Sequence, residues 1–221
     1  VQIGGHTAPA ITAVQTNDVS DCGLSDGKIT ITANPSEGGV LYSVNDGSTW
    51  STNPVFANLS GGTYAVKVKN SNGTCIVPFA QNPVNINQPI APVFLNVSST
   101  NVSDCNLSDG KITISAQQGN GAVQYSIDDG ITWSSSGNFN GLSAAVYFLK
   151  IRNQNNTCIV LYPQNPVIIT GPTAPVIQSV IKSDATECNV NDGSITVNAS
   201  PGSSAVAFSI KRNAAAIIKG G

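Results

Sequence analysis

The chain has 221 residues, 10% of them charged, with a formal net charge of -2, one His, five Cys and no Met. Its few Lys and Arg are scattered along the whole length, so no basic cluster supplies the phosphate contacts of a nucleic-acid binder. No apolar run approaches the roughly 20 residues that cross a bilayer as a helix, which argues against direct membrane insertion.

Taken in chain order, period-two alternation between turn signals predicts strands at 11–19, 28–33, 40–44, 50–56, 63–69 and 76–86. In KITITA, Ile29 and Ile31 share one face and Thr30 and Thr32 the other. Tyr64, Val66 and Val68 oppose Ala65, Lys67 and Lys69 in the same way. A sheet with one wet face buries the other on a second sheet, so a β-sandwich is expected. LSGGTY, at 59–64, resembles the L-x-x-G-x-Y turn of immunoglobulin-like domains, where the Tyr hydroxyl anchors a corner. The fold expected is therefore all-β and immunoglobulin-like.

The pattern then repeats. Cys22, Cys105 and Cys188 are 83 residues apart, as are Cys75 and Cys158, Trp50 and Trp133, and Tyr64 and Tyr147. SDCGLSDGKITI (20–31) and SDCNLSDGKITI (103–114) differ at one position. The chain reads as the end of a preceding repeat (1–8), repeat 1 (9–91), repeat 2 (92–174) and an incomplete repeat 3 (175–221). No signal peptide is visible, so the chain reads as cytosolic, already processed or a fragment; the incomplete repeats at its two ends make a segment of a longer array the expectation. The tail from 211, with Ala216 in the place of Trp, reads as a degenerate copy. Pro9, Pro92 and Pro175 hold the same place in each junction and stiffen it by fixing φ. Such domains are expected to stack end to end as a rod, advancing roughly 30–40 Å per repeat.

The cysteines suit a small sandwich that needs an added constraint. If strands two to five alternate in direction, the start of strand two meets the end of strand five. Disulfides Cys22–Cys75 and Cys105–Cys158 are then expected, with Cys188 unpaired; reduced buried thiols are the alternative. Disulfides place the chain outside the cytoplasm. A zinc site is disfavoured, because no Cys lies close in sequence to another Cys or to a His.

SIDDGITW (126–133) fits S-x-D-x-G-x-T-W and so resembles the Asp-box of sialidases, and SVNDGSTW (43–50) is a near copy. An enzyme is nevertheless not expected. His6, at a repeat junction, reads as a solvated linker residue, and the two Glu are Glu37 and Glu187. A nucleophilic triad needs a His placed by the fold, and glycoside hydrolysis needs paired carboxylates at a defined separation. Asp128 and Asp129 are adjacent, and Arg152 and Arg212 are too few for the arginine triad of a sialidase. Asp-Gly between alternating apolar residues is a hairpin signal. Asp46-Gly47 and Asp129-Gly130 are therefore expected to form turns locked by Trp50 and Trp133, with ligand contact as the alternative.

Asp21, Asp26 and their counterparts Asp104, Asp109, Asp184 and Asp192 cluster near the expected domain ends. They read as turn residues, and alternatively as calcium ligands; no other cofactor is implied. The triplets at Asn58, Asn96 and Asn101 are of the N-x-S/T kind, common by chance in so Asn- and Ser-rich a chain.

The ordered elements Cys105, LSDGKITI (107–114), YSIDDGITW (125–133), Phe139, GLS (141–143), Tyr147, Ile151, Asn153 and Cys158 together resemble the SprB-type repeat of Bacteroidota surface proteins. That family is named for a gliding-motility adhesin exported by the type IX secretion system. The resemblance implies a long extracellular filament or adhesin at the cell surface and carries no catalytic residues. The expected role is structural and adhesive: stalk and multivalent attachment, possible gliding motility, with neighbouring repeats, surface glycans or other filament chains as partners. The alternative is a glycan-binding module of a secreted enzyme, in which Trp50 or Trp133 would offer a stacking face. A filament polymerised by strand exchange is a third reading.

Overall fold

The computed structural model describes residues 7–34 and 38–211. His6, Glu37, Arg212, most of the expected leading segment and the degenerate tail lie outside the described residues. By compactness the chain divides into two units. The described residues of 1–97, 113–137 and 147–167 form one, and those of 98–112, 138–146 and 168–221 the other.

The fold is all-β. Repeat 1 contributes β1 (Ala10–Asn17), β2 (Gly27–Asn34), β3 (Val40–Ser43), β4 (Val55–Leu59), β5 (Gly62–Tyr64), β6 (Lys67–Asn70), β7 (Val77–Pro78) and β8 (Val84–Ile86). They form sheets of order β1-β2-β4 and β3-β6-β7 and a pair β5-β8. The two three-stranded orders correspond to A-B-E and C-F-G of an immunoglobulin-like sandwich. Repeat 2 supplies β9 (Val93–Thr100), β10 (Gly110–Gln117), β11 (Val123–Ser126), β12 (Asn138–Leu142), β13 (Ala145–Tyr147), β14 (Lys150–Asn153), β15 (Val160–Leu161) and β16 (Val167–Ile169). Their order is the same: β12-β10-β9, β11-β14-β15 and β13-β16. Repeat 3 is a hairpin pair, β17 (Val176–Ser183) and β18 (Ser194–Ser200).

The predicted inward residues form the core of repeat 1. Ile29 and Ile31 of β2 pack with Val66 and Val68, joined by Val19, Val44, Val84 and Ile86. Repeat 2 buries Ile112, Ile114, Leu149 and Ile151 at the corresponding positions. The corner also forms as expected: the Tyr64 hydroxyl donates to the Ser60 carbonyl at 2.8 Å.

Three predicted strands are corrected. The segment 50–56 is not one strand: Ser51 makes a single bridge to Tyr42, and β4 begins only at Val55, after Pro54. The segment 63–69 splits, because β5 pairs with β8 and β6 pairs with β3, so the chain changes sheets at Ala65 and Val66. The segment 76–86 divides into β7 and β8 around a turn at the cis Asn82–Pro83 bond. Here the Asn82 side chain stands in for a strand. Its Oδ1 accepts the Val66 N–H and its Nδ2 donates to the Val66 carbonyl, both at 2.8 Å. Asn165 does the same for Leu149.

Candidate functional site

The two octapeptides are hairpins. Asp129 and Gly130 have φ of 61° and 88°, and Asp46 and Gly47 have 59° and 87°, the left-handed pair that a two-residue type I′ turn requires. A Cβ on Gly130 would lie 3.2 Å from Trp133 Cζ2, so glycine also makes room for the indole. Within the turn, the Ser126 hydroxyl donates to Asp128 at 2.7 Å and accepts the Gly130 N–H at 2.8 Å. Asp128 Oδ1 also accepts the Thr132 N–H at 2.9 Å. Burial pushes the Asp128 carboxyl up, but the bonds from Thr132 and Ser126 outweigh it and hold the group below its ordinary value. In the first copy Asn45 takes over: Oδ1 accepts the Thr49 N–H at 2.9 Å and Nδ2 donates to Thr49 Oγ1 at 2.8 Å.

Both Trp side chains are half-buried. The Trp133 Nε1–H donates to the Gly130 carbonyl at 2.9 Å, and the Arg152 guanidinium carbon lies 4.1 Å from the ring centroid. Lys69 Nζ lies 4.3 Å from the Trp50 centroid. Lys150 pairs with Asp129 at 2.8 Å and Lys67 with Asp46 at 2.7 Å. Each indole is thus held between its own turn and a cation from β6 or β14, and the cation covers a face that a sugar would otherwise stack on.

The acidic turns are occupied by their own loops. Asp26 accepts the Ser20 N–H at 3.0 Å and the Ser20 hydroxyl; Asp109 repeats this with Ser103, and Asp192 with Thr186. Side-chain bonds from Ser20 and Ser103, then backbone bonds from the same residues, hold Asp26 and Asp109 below the ordinary carboxylate value. Asp21 and Asp104 turn to the following backbone, accepting the N–H of Cys22 and of Cys105, each at 2.7 Å. Asp26 and Asp109 do not join them in a group of ligands. Among the described residues the one such group is Asp21, Cys22 and Cys158, and its sulfurs are bonded to each other.

That bond corrects the expected pairing. Cys22 is joined to Cys158, 136 residues away, with Cα atoms 5.0 Å apart; it is not joined to Cys75, nor Cys105 to Cys158. The reason is strand direction. The end of β6 pairs with the start of β3 (Asn70 with Val40), and Ser71 donates to the Gly39 carbonyl, so Cys75 lies by the β2–β3 connection. Cys22 lies at the opposite end, where Gly27 pairs with Leu59 and Val19 donates to the Asn87 carbonyl. The sandwich separates the two cysteines of one repeat. The far end of repeat 1 instead meets the near end of repeat 2, where Asp21 Oδ1 also accepts the Cys158 N–H at 2.6 Å. Cys105 and Cys188 form no disulfide among the described residues, and Cys188 is exposed.

The linker between these ends is clamped by groups that sequence reasoning missed. The Ile90 carbonyl accepts the Asn120 N–H and Asn153 Nδ2, each at 3.0 Å, and the Ile90 N–H donates to Asn120 Oδ1. A Cβ on Gly119 would lie 2.1 Å from the Ile90 carbonyl oxygen, so the close approach requires glycine. Pro92 is fully buried beside this clamp. The signal lay in the period itself: with both partners shifted back by 83 residues, the same bond recurs, Asn70 Nδ2 donating to the Thr7 carbonyl at 3.1 Å.

No family model and no curated protein matches the chain. Among solved structures, it is similar to the C-terminal 282-residue fragment of intimin, crystallised with the intimin-binding domain of the translocated intimin receptor. Identity is 13% and the TM-score 0.39, over 76% of this chain and 67% of that one. It is also similar to domains 4–9 of the surface layer protein SbsC (18% identity, TM-score 0.26), covering 86% of this chain and 36% of that one. The separate structure of SbsC domains 4 and 5 shows 16% identity and a TM-score of 0.26, over 73% of this chain and all of that one. The immunoglobulin-like assignment rests on the strand order described above, not on these likenesses.

Proposed function

We propose that this chain is a non-catalytic, load-bearing repeat segment of a long extracellular bacterial surface protein, serving as stalk and as multivalent attachment. The observation that carries the reading is the Cys22–Cys158 disulfide, which joins one repeat covalently to the next rather than closing a single sandwich. A disulfide of this kind belongs to an oxidising compartment outside the cytoplasm. Tension applied across the pair passes through the sulfur bridge and spares the 136-residue loop between the cysteines. The resemblance of the motif order to SprB-type repeats of gliding-motility adhesins supports the same role, as does the use of every acidic turn and both Asp-Gly hairpins for local structure.

Pulling on the single molecule tests this. Under oxidising conditions the segment between Cys22 and Cys158 should contribute no extension. After reduction, about 450 Å of contour becomes available at ~3.3 Å per residue. Release of that length from the oxidised chain would defeat the load-bearing reading. The glycan-binding alternative has its own signature: binding on a glycan array that disappears in Trp133→Ala while the fold persists.

A further inference from the structure

One carboxylate oxygen touches both halves of the covalent joint. Asp21 Oδ1 accepts the N–H of Cys22 at 2.7 Å and that of Cys158 at 2.6 Å. The first bond joins sequence neighbours; the second spans 137 residues, from repeat 1 to repeat 2. Two amides on one oxygen hold the two backbones side by side, with the Cα atoms 5.0 Å apart, within the ordinary span of a disulfide. A hydrogen bond to an ionised acceptor is about twice as strong as one between neutral groups. The carboxylate therefore ties the two repeats together by a contact separate from the sulfurs.

Each half of this contact takes its shape from its own repeat. Asp104 accepts the Cys105 N–H at the same 2.7 Å, although Cys105 forms no disulfide, so the aspartate turn does not depend on the sulfur bond. Cys158 is left-handed, with φ of 57°, and its counterpart Cys75 has φ of 53°. The loop ahead of each closes in the same way: the Asn153 N–H donates to the Thr157 carbonyl, and that of Asn70 to Thr74, both at 3.0 Å. The Cys158 loop thus presents its N–H, and the Asp21 turn presents the oxygen that receives it. The sulfur is placed as well. Cys22 Sγ lies 3.2 Å from the Pro89 carbonyl oxygen, an acceptor for the thiol of the reduced chain, as Cys105 Sγ lies 3.4 Å from that of Pro172.

We infer that Asp21 is the positioning residue of the joint. Its carboxylate docks the Cys158 loop on the end of repeat 1 before the sulfurs bond, and so raises the effective concentration of one thiol at the other. The inference rests on reading Cys22–Cys158 as the link that carries tension. In the bond-forming sequence, one cysteine thiolate attacks oxidised glutathione and releases one glutathione thiol, leaving a mixed disulfide. The other cysteine displaces the second glutathione. The pair gives up two protons and two electrons in all, and both reappear in the two glutathione thiols. Asp21 takes no part in the exchange and acts through the two amides alone.

The test measures the thiol–disulfide equilibrium of the 221-residue chain. The protein is held in glutathione buffers of stepped ratio and quenched by alkylation, and the Cys22–Cys158 peptide pair is quantified. Asp21→Ala should lower the equilibrium constant about tenfold, the effect of losing one bond to a charged group. Asp21→Asn keeps an acceptor oxygen without the charge and should lower it about threefold. Asp104→Ala removes the same local contact beside Cys105 and should leave the constant unchanged. A constant indifferent to Asp21→Ala, an asparagine as damaging as alanine, or an equal loss in Asp104→Ala overturns the inference. If alanine loosens the sandwich itself, seen as faster exchange of the Ile29 amide, Asp21→Asn decides: an unchanged constant overturns the inference. Docking ahead of oxidation is read in the Cys22→Ser/Cys158→Ser chain. There the amide at position 158 should exchange about tenfold faster once Asp21→Ala is added, with the Ile29 and Ile151 amides unaltered. Equal rates at position 158 would refute docking by the carboxylate. A parent chain without the Cys22–Cys158 pair defeats the tension-carrying reading, whereas a pair indifferent to Asp21 defeats this inference alone.

Discussion

Cys22 and Cys105 occupy the same position in successive repeats, beside the same aspartate and the same proline carbonyl, yet only Cys22 forms a disulfide. The difference lies outside the residues that surround them. A near end of the next sandwich, carrying Cys158, stands against Cys22. The disulfide is therefore a property of the joint between two repeats and not of the sandwich that contains either cysteine. This distinguishes the cysteines from the tyrosine corner of repeat 1 and the Asp-Gly turns of repeats 1 and 2, each completed by residues of a single repeat.

The strongest way to break the comparison is to remove one sulfur from each position. Closing the 136-residue loop stabilises by about 5 kcal/mol on the chain-entropy model. Cys22→Ser should cost much of that in guanidinium denaturation under oxidising conditions, whereas Cys105→Ser should leave the midpoint unchanged. Equal effects would erase the distinction between the two sites. The cores sharpen the same contrast. Ile112→Ala removes a fully buried side chain and should cost roughly 2–5 kcal/mol, while Ile195→Ala, at a position 54% exposed, should cost less than about 0.5 kcal/mol by the same denaturation.

How much of this could be read from sequence follows from range. The corner at Tyr64, the turns at Asp46-Gly47 and Asp129-Gly130, and the inward faces of Ile29 and Ile31 depend on residues within a few positions of each other, and they were legible. The disulfide was not, because its pairing depends on the directions of β2 and β6 in two different sheets and on which ends of two sandwiches abut. Counting alternate strands placed Cys22 and Cys75 together, since the sheet change at Ala65 and Val66 leaves no break in the alternation of YAVKVKN. The linker clamp was hidden for a related reason: Asn120 and Asn153 look like ordinary loop polar residues until Ile90 is placed between them.

Smaller effects test the features that each repeat completes alone. Tyr64→Phe removes the hydroxyl bond to Ser60 and should cost about 1 kcal/mol, measured as a shift in denaturation midpoint at constant slope. Asp128→Asn reproduces the first copy's Asn45 and should cost only a few tenths of a kcal/mol near neutral pH, in keeping with a half-exposed group. Its pH dependence is more telling. The folded pKa of Asp128 lies below its ordinary value of 3.8, so the unfolded state takes up the proton first. The carboxylate's contribution is present above that value and is lost as pH falls through the folded pKa. The difference in melting temperature between the parent and Asp128→Asn should therefore shrink below about pH 4, and a difference that widens with acid would contradict the hydrogen-bond assignment.

The most direct measurement of the central claim is the disulfide map of the oxidised chain. Digestion without reduction, followed by mass spectrometry, should yield a peptide pair joining Cys22 to Cys158, with Cys105 and Cys188 recovered as alkylated thiols. Recovery of Cys22 with Cys75 and Cys105 with Cys158 would return the bonds to single sandwiches and contradict the covalent joint between repeats.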